Sequence, residues 1–199
     1  MDNADLMLAT AEAFVAVVSE IPHDAWERPG LGVWDVRALV GHTGRAISTV
    51  TTYLDRPASV VRCETAAAYL SGLHTMDAAA NEEVAGRGVQ AGHELGDEPA
   101  EVLENLVEGL RRRLAAIDTD PVIDTAFGGM RLSDYLETRL VELVVHCGDI
   151  AAATGLEAGL PPQAVQRTLT IVGEAAVLNG RGMAAIRRLT GRDGSDFQL

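Results

Sequence analysis

Residues 140–155 read LVELVVHCGDIAAATG, a run of Leu, Val, Ile and Ala into which Glu142, His146 and Asp149 are set. With Arg139 just before it, the polar residues are spaced 3, 4 and 3 apart. On a helix that spacing places all four on one stripe. Leu140, Leu143, Val144, Val145 and Ile150 cover most of the remaining circumference, and a helix apolar on nearly every side belongs inside a helical assembly. Its polar stripe must face a cavity or another helix and find partners there, because an unpaired buried charge costs several kcal/mol.

On both sides of this stretch the chain continues in helical periods. Apolar residues at Leu6, Leu8, Phe14, Val17 and Val18 predict a first helix over 3–20, ended by Ile21-Pro22, since the residue before proline is pushed out of the α region. A Pro- and Gly-rich loop then leads to VWDVRALVGHTGRAISTVTTYLD (33–55). Asp35 is the expected N-cap, Trp34 the expected staple on Leu39, and Val36 to Leu54 the second helix. A third helix is expected from Glu64 to Val84, ended by Gly86 and Gly88. A fourth should be capped by Asp97, with Pro99 in its first turn and Arg111 to Arg113 near its end. Gly128-Gly129 reads as a turn, Ser133 as the cap of the helix that holds 140–155, and Gly155 as its C′ residue. One more helix is expected over 161–179, then a tail with a short helix and an extended end. Five or more helices with hardly a strand signal predict an all-α bundle in one domain over 1–199, with no separate C-terminal domain.

The 199 residues are 47% hydrophobic and 23% charged, enough to bury a core. A net charge of −13 repels phosphate backbones and anionic membrane surfaces, so nucleic acid is not an expected partner. No apolar run reaches the ~18 residues of a membrane span, and no charged leader with an apolar core opens the chain. Cys63 and Cys147 form no C-x-x-C pair. Free thiols and a soluble, cytoplasmic protein follow as expectations. All 16 basic residues are Arg, a bias of genomic composition rather than of a site.

The second helix offers a partner for the stripe. His42 stands about two turns after the cap, and with Glu142 and His146 it would make a two-histidine, one-carboxylate set. Three protein ligands leave a coordination position open, the catalytic style of zinc site, and the same set suits non-haem Fe(II). Spacing alone leaves a second reading open, in which Glu142 and His146 form a buried ion pair with Arg139 beside it. Asp149, one turn beyond His146, is better placed to accept a hydrogen bond from a ligand histidine than to be a fourth ligand. Arg139 would pair with Glu142 or bind a substrate carboxylate. Cys147, turned about 100° from His146, and Cys63 read as small core residues. His23, His74 and His93 have no partner at metal-binding spacing and read as surface residues.

Two passages tie the helices together. WDVRALVGHTGR (34–45) and GGMRLSDYLETRLVELVVHCGDIAAATG (128–155) resemble the mycothiol-dependent maleylpyruvate isomerase family, a branch of the DinB-like metal-binding bundles. The first carries W-x-V-x-x-L-V-x-H at Trp34, Val36, Leu39, Val40 and His42. The second carries R-x-x-E-x-x-x-H-x-x-D at Arg139, Glu142, His146 and Asp149, followed by A-T-G at 153–155; LTGR (189–192) also recurs in relatives. The resemblance implies a DinB-like four-helix bundle with additional short helices and a C-terminal tail. It also implies a divalent metal, zinc first among the candidates, on His42, Glu142 and His146, with mycothiol or a similar thiol as cosubstrate. The isomerase proper adds a C-terminal domain with a catalytic arginine, for which this chain has no comparable length. The expected activity is therefore a metal-dependent thiol transferase or isomerase acting on a small electrophile. A non-catalytic metal-binding or dimerising module is the alternative from another class, and metal-assisted hydrolysis a third reading. Relatives that pair through helices make a homodimer the expected assembly.

Overall fold

The computed structural model describes residues 2–73, 77–192 and 194. Its helices are α1 (Asn3–Ser19), α2 (Val36–Leu54), α3 (Ala66–Leu73), α4 (Ala78–Glu94), α5 (Pro99–Ala115), α6 (Leu132–Thr154), α7 (Pro162–Leu178) and α8 (Gly182–Leu189). Two short antiparallel hairpins join them, β1 (Pro29–Leu31) with β2 (Trp34–Asp35) and β3 (Val122–Thr125) with β4 (Gly128–Arg131). The chain is thus helical in architecture, and the hairpins are an addition to the all-α expectation. They are too short to give a clear alternating pattern in the sequence.

Helices α1, α2, α5 and α6 form the bundle: α6 packs on α1 and α2, and α5 on the same two from the other side. Met7, Phe14, Leu39, Ile47, Leu103, Leu110, Tyr135, Leu143 and Ile150 are fully buried along its axis. Helix α4 lies along α2, α3 and α7 flank α6, and α8 follows on α7. Glu137 on α6 accepts hydrogen bonds from Asn3 Nδ2 of α1 (3.1 Å) and Arg167 Nε of α7 (2.9 Å). A charge-assisted clasp therefore joins three helices at a carboxylate that is itself buried.

Several expected boundaries hold. Asp35 caps α2, its carboxylate accepting from Ala38 N at 2.7 Å, and Gly155 ends α6 in the left-handed region (φ 77°). Others shift. The helix expected over 64–84 is two, since Asp77 caps a new one at Ala80 N. Gly86 and Gly88 do not end it, and α4 runs on to Glu94. Gly88, like Gly41 on α2, serves contact rather than termination, whereas Gly86 has open space around it. A Cβ at Gly41 would lie 2.1 Å from Gly92 N, and one at Gly88 would lie 2.8 Å from the Trp34 ring. Helices α2 and α4 therefore meet backbone to backbone.

Two caps also differ from expectation. Helix α5 has Glu98, not Asp97, at its N-cap, without a side-chain hydrogen bond. Helix α6 starts at Leu132, so Ser133 lies inside it. Asp120 takes over the capping, accepting from Ser133 N at 2.9 Å and from Ser133 Oγ at 2.8 Å. The hairpin turn falls at Ala126-Phe127 rather than at the glycines. Gly128 (φ 90°) closes it, and Gly129 lets the strand reach residues 58–62, where Arg62 N donates to Gly129 O at 2.7 Å. The extended end expected after α8 lies largely outside the described residues.

Candidate metal centre

His42 comes from α2, Glu142 and His146 from α6. Burial of Leu39, Val40 and Thr43 on α2, and of Leu143 and Cys147 on α6, fixes the rotation of each helix, and the three polar side chains meet where the two surfaces face. Glu142 Oε2 lies 3.6 Å from His42 Nε2 and 3.5 Å from His146 Nε2. One ligand atom from each residue lies within 4.8 Å of the other two. The side chains are only 15%, 20% and 14% exposed, shielded yet not closed off. His42 and His146 meet edge to face, ring centroids 5.0 Å apart.

The donor set fits a cation. Separations of 3.5 and 3.6 Å exceed those of good N–H···O bonds. Two donors bound at 2.0–2.1 Å on adjacent tetrahedral corners stand about 3.4 Å apart. His42 Nδ1 is buried without a hydrogen-bond partner, which leaves that ring held by packing. Trp34 supplies the packing: its ring lies 4.4 Å from the imidazole, and its indole N–H donates to Ala85 O at 3.0 Å. The expected staple is thus, in place, a wall behind His42.

Asp149 Oδ2 accepts from His146 Nδ1 at 2.9 Å. A carboxylate can only accept, so Nδ1 carries a proton and donates to Asp149, and Nε2 is the ring atom that faces Glu142. Burial favours the neutral form of His146, but Glu142 and Asp149 outweigh it and raise the imidazole's pKa. Burial likewise works against the charged form of Glu142, yet the facing histidines and the Arg139 charge hold its carboxyl well below the usual range. Glu142 is therefore held as the carboxylate, the form that can bind a cation.

Arg139 departs from the expected ion pair with Glu142. Its guanidinium lies over the rings of Tyr135 (4.9 Å) and Tyr69 (5.5 Å), and its Nε donates to Thr138 Oγ1 at 3.0 Å. Cation–π contact substitutes for a carboxylate at close range. Arg139 lines a cavity of about 540 Å³ that also borders His42, Glu142, His146 and Arg45, with Tyr53, Tyr69, Tyr135 and Phe127 among its walls. Arg45, Thr49 and Tyr53 went unrecognised in the sequence, although they follow His42 at helical spacing along α2. Cys147 is fully buried, and burial pushes its thiol up to about 12; Cys63 is buried too, and both are free. His23 and His93 are exposed, and His74 lies outside the described residues.

Bundle and centre together define a class: helical domains with a two-histidine, one-carboxylate cluster that could hold a metal ion, set between two helices and open to a cavity. The family model described as the mycothiol maleylpyruvate isomerase N-terminal domain matches residues 7–151, and the chain belongs to that family. The matched segment runs from α1 into α6 and includes His42, Glu142 and His146. No curated protein and no solved structure matches the chain. Among the described residues, no helix is long and apolar enough to cross a membrane.

Proposed function

We propose that the chain is a metal-dependent transferase or isomerase that uses a low-molecular-weight thiol of the mycothiol kind against a small electrophile. The observation that carries this reading is the meeting of His42, Glu142 and His146 within 4.8 Å at the wall of a cavity large enough for a small molecule. A divalent cation, zinc first, would supply positive charge that keeps sulfur as the thiolate, the nucleophilic form. The residues of the chain do the rest. His42 and His146 would present ring nitrogens to the cation, Asp149 holds the His146 ring through Nδ1, and Glu142 supplies the compensating charge. Arg139 and Arg45 border the cavity, neither in a salt bridge with a carboxylate among the described residues, and suit an anionic group on the electrophile.

In the proposed reaction the thiol gives up its proton, and the sulfur lone pair forms a bond to one alkene carbon. The π electrons move to the neighbouring activated carbon, which takes up a proton. Rotation about the resulting single bond and reversal of these steps return the thiol and an isomerised alkene; without reversal the product is the conjugate. The chain would act as one unit, with α7 packed on α6 and α8 following on α7. Elemental analysis of native protein beside His42→Ala and Glu142→Ala, with turnover assayed with and without thiol, tests it. About one metal per native chain, lost in both variants, and thiol-dependent turnover are expected. Equal metal in all three preparations overturns the site, and turnover without thiol favours hydrolysis.

One observation favours the alternative of a dimerising module. Val165, Leu169 and Val172 form an exposed apolar stripe on α7, and Met183, Ile186 and Leu189 another on α8. A binding module would give no turnover above the protein-free rate on any electrophile.

A further inference from the structure

A second cavity, of about 310 Å³, touches the same centre from the side of α7. Leu73, Glu142 and His146 border both cavities. The two spaces differ in chemistry. The first carries Arg45 and Arg139, whereas the second is walled by Leu70, Val141, Val145, Val172, Ala175 and Ala176, with Asn179 and the exposed Arg181 as its other polar lining. Asn179 is already engaged, accepting from Ser71 Oγ at 2.7 Å. Water in such a space finds few hydrogen-bond partners, and displacing it with an apolar group gains affinity. Val145 and Val172 are 45% and 43% exposed, so the compartment is reachable from outside. Its α7 wall lies beyond the segment matched to the family and is held in register by the Arg167–Glu137 clasp.

We infer that this compartment binds an aliphatic group of the small molecule held at His42, Glu142 and His146, so that the chain selects ligands with an apolar tail on the α7 side and a polar or anionic part on the Arg139 side. The inference rests on the metal-site reading above and adds the ligand class to it. The wall chemistry carries it: burying a methylene contributes ~0.8 kcal/mol, about three- to fourfold in affinity, and no polar group of the six apolar wall residues would be left unpaired by an alkyl chain.

The test uses full-length protein loaded with Co(II), whose thiolate charge-transfer absorption reports sulfur at the ion. Ethanethiol, butanethiol and hexanethiol are titrated into wild type, Val172→Trp and Ala176→Phe. Two variants are used so that one folding poorly leaves the other. Wild type is expected to bind more tightly by roughly three- to fourfold per methylene until the compartment is full. The variants, with the space occupied, should keep ethanethiol affinity and lose most of the gain for hexanethiol. A flat series in wild type, or an undiminished gain in the folded variants, overturns the inference while the cobalt signal leaves the metal site standing. Failure to bind cobalt at all overturns the metal-site reading and this inference with it.

Discussion

His146 is held from two directions, by Asp149 at Nδ1 and by Glu142 facing Nε2. The two acids have different tasks. Glu142 stands where a ligand would, while Asp149 aims the ring from behind. Asp149→Asn should therefore leave the ligand atoms in place yet weaken metal binding by about 10–100-fold, the usual effect of losing a partner behind a ligand histidine. Competition against a chelator of known affinity measures this. An unchanged dissociation constant would mean that packing alone orients His146. His42 lacks such a partner and relies on Trp34, so its orientation depends on an aromatic ring placed by another helix.

Helix α4 makes that dependence concrete. Its glycines let it approach α2 so closely that Trp34 is caught between Gly88 and His42. Glycines with and without this role should respond in opposite directions. Gly41→Ala would drive a Cβ into the Gly92 backbone, and overpacking of this kind costs ~1–3 kcal/mol. At Gly86 a Cβ meets nothing within 4 Å, so Gly86→Ala should stabilise by up to about 1 kcal/mol through helix propensity and a less flexible unfolded chain. Thermal melts of the two variants should shift apart, down by a few degrees for the first and up by roughly 2–4 °C for the second. Two shifts of the same sign would show that α2 and α4 do not meet through these residues.

For the whole molecule, a metal held at the centre would be a ligand of the native state alone, because the unfolded chain separates His42 from Glu142 by a hundred residues. Zinc at 100 times its dissociation constant should stabilise by ~2.7 kcal/mol, roughly 5–10 °C for a domain of this size. The shift should vanish in His42→Ala. The two cysteines give a complementary readout. Cys63 and Cys147 are 7% and 0% exposed, so a thiol reagent should label native protein slowly and both sulfurs once denaturant unfolds it. Rapid labelling of Cys147 in native protein would mean that α6 opens around the centre.

The bounds of α1, α2 and α7, the α2 cap at Asp35, the α6 terminus at Gly155 and the polar stripe on α6 were legible in the sequence, because each depends on residues within a few turns of one another. Joining His42 to that stripe needed the family resemblance, since no local pattern relates two helices a hundred residues apart. What the sequence by itself determined is which face each helix turns inward. Only the tertiary structure decided which faces meet: Arg139 against tyrosines instead of Glu142, Gly88 as a contact instead of a stop, Asp120 as the cap of α6, and an apolar compartment walled by α7. The physical reason is that periodicity is a property of one helix, whereas these features arise from close packing between surfaces that the chain brings together only on folding.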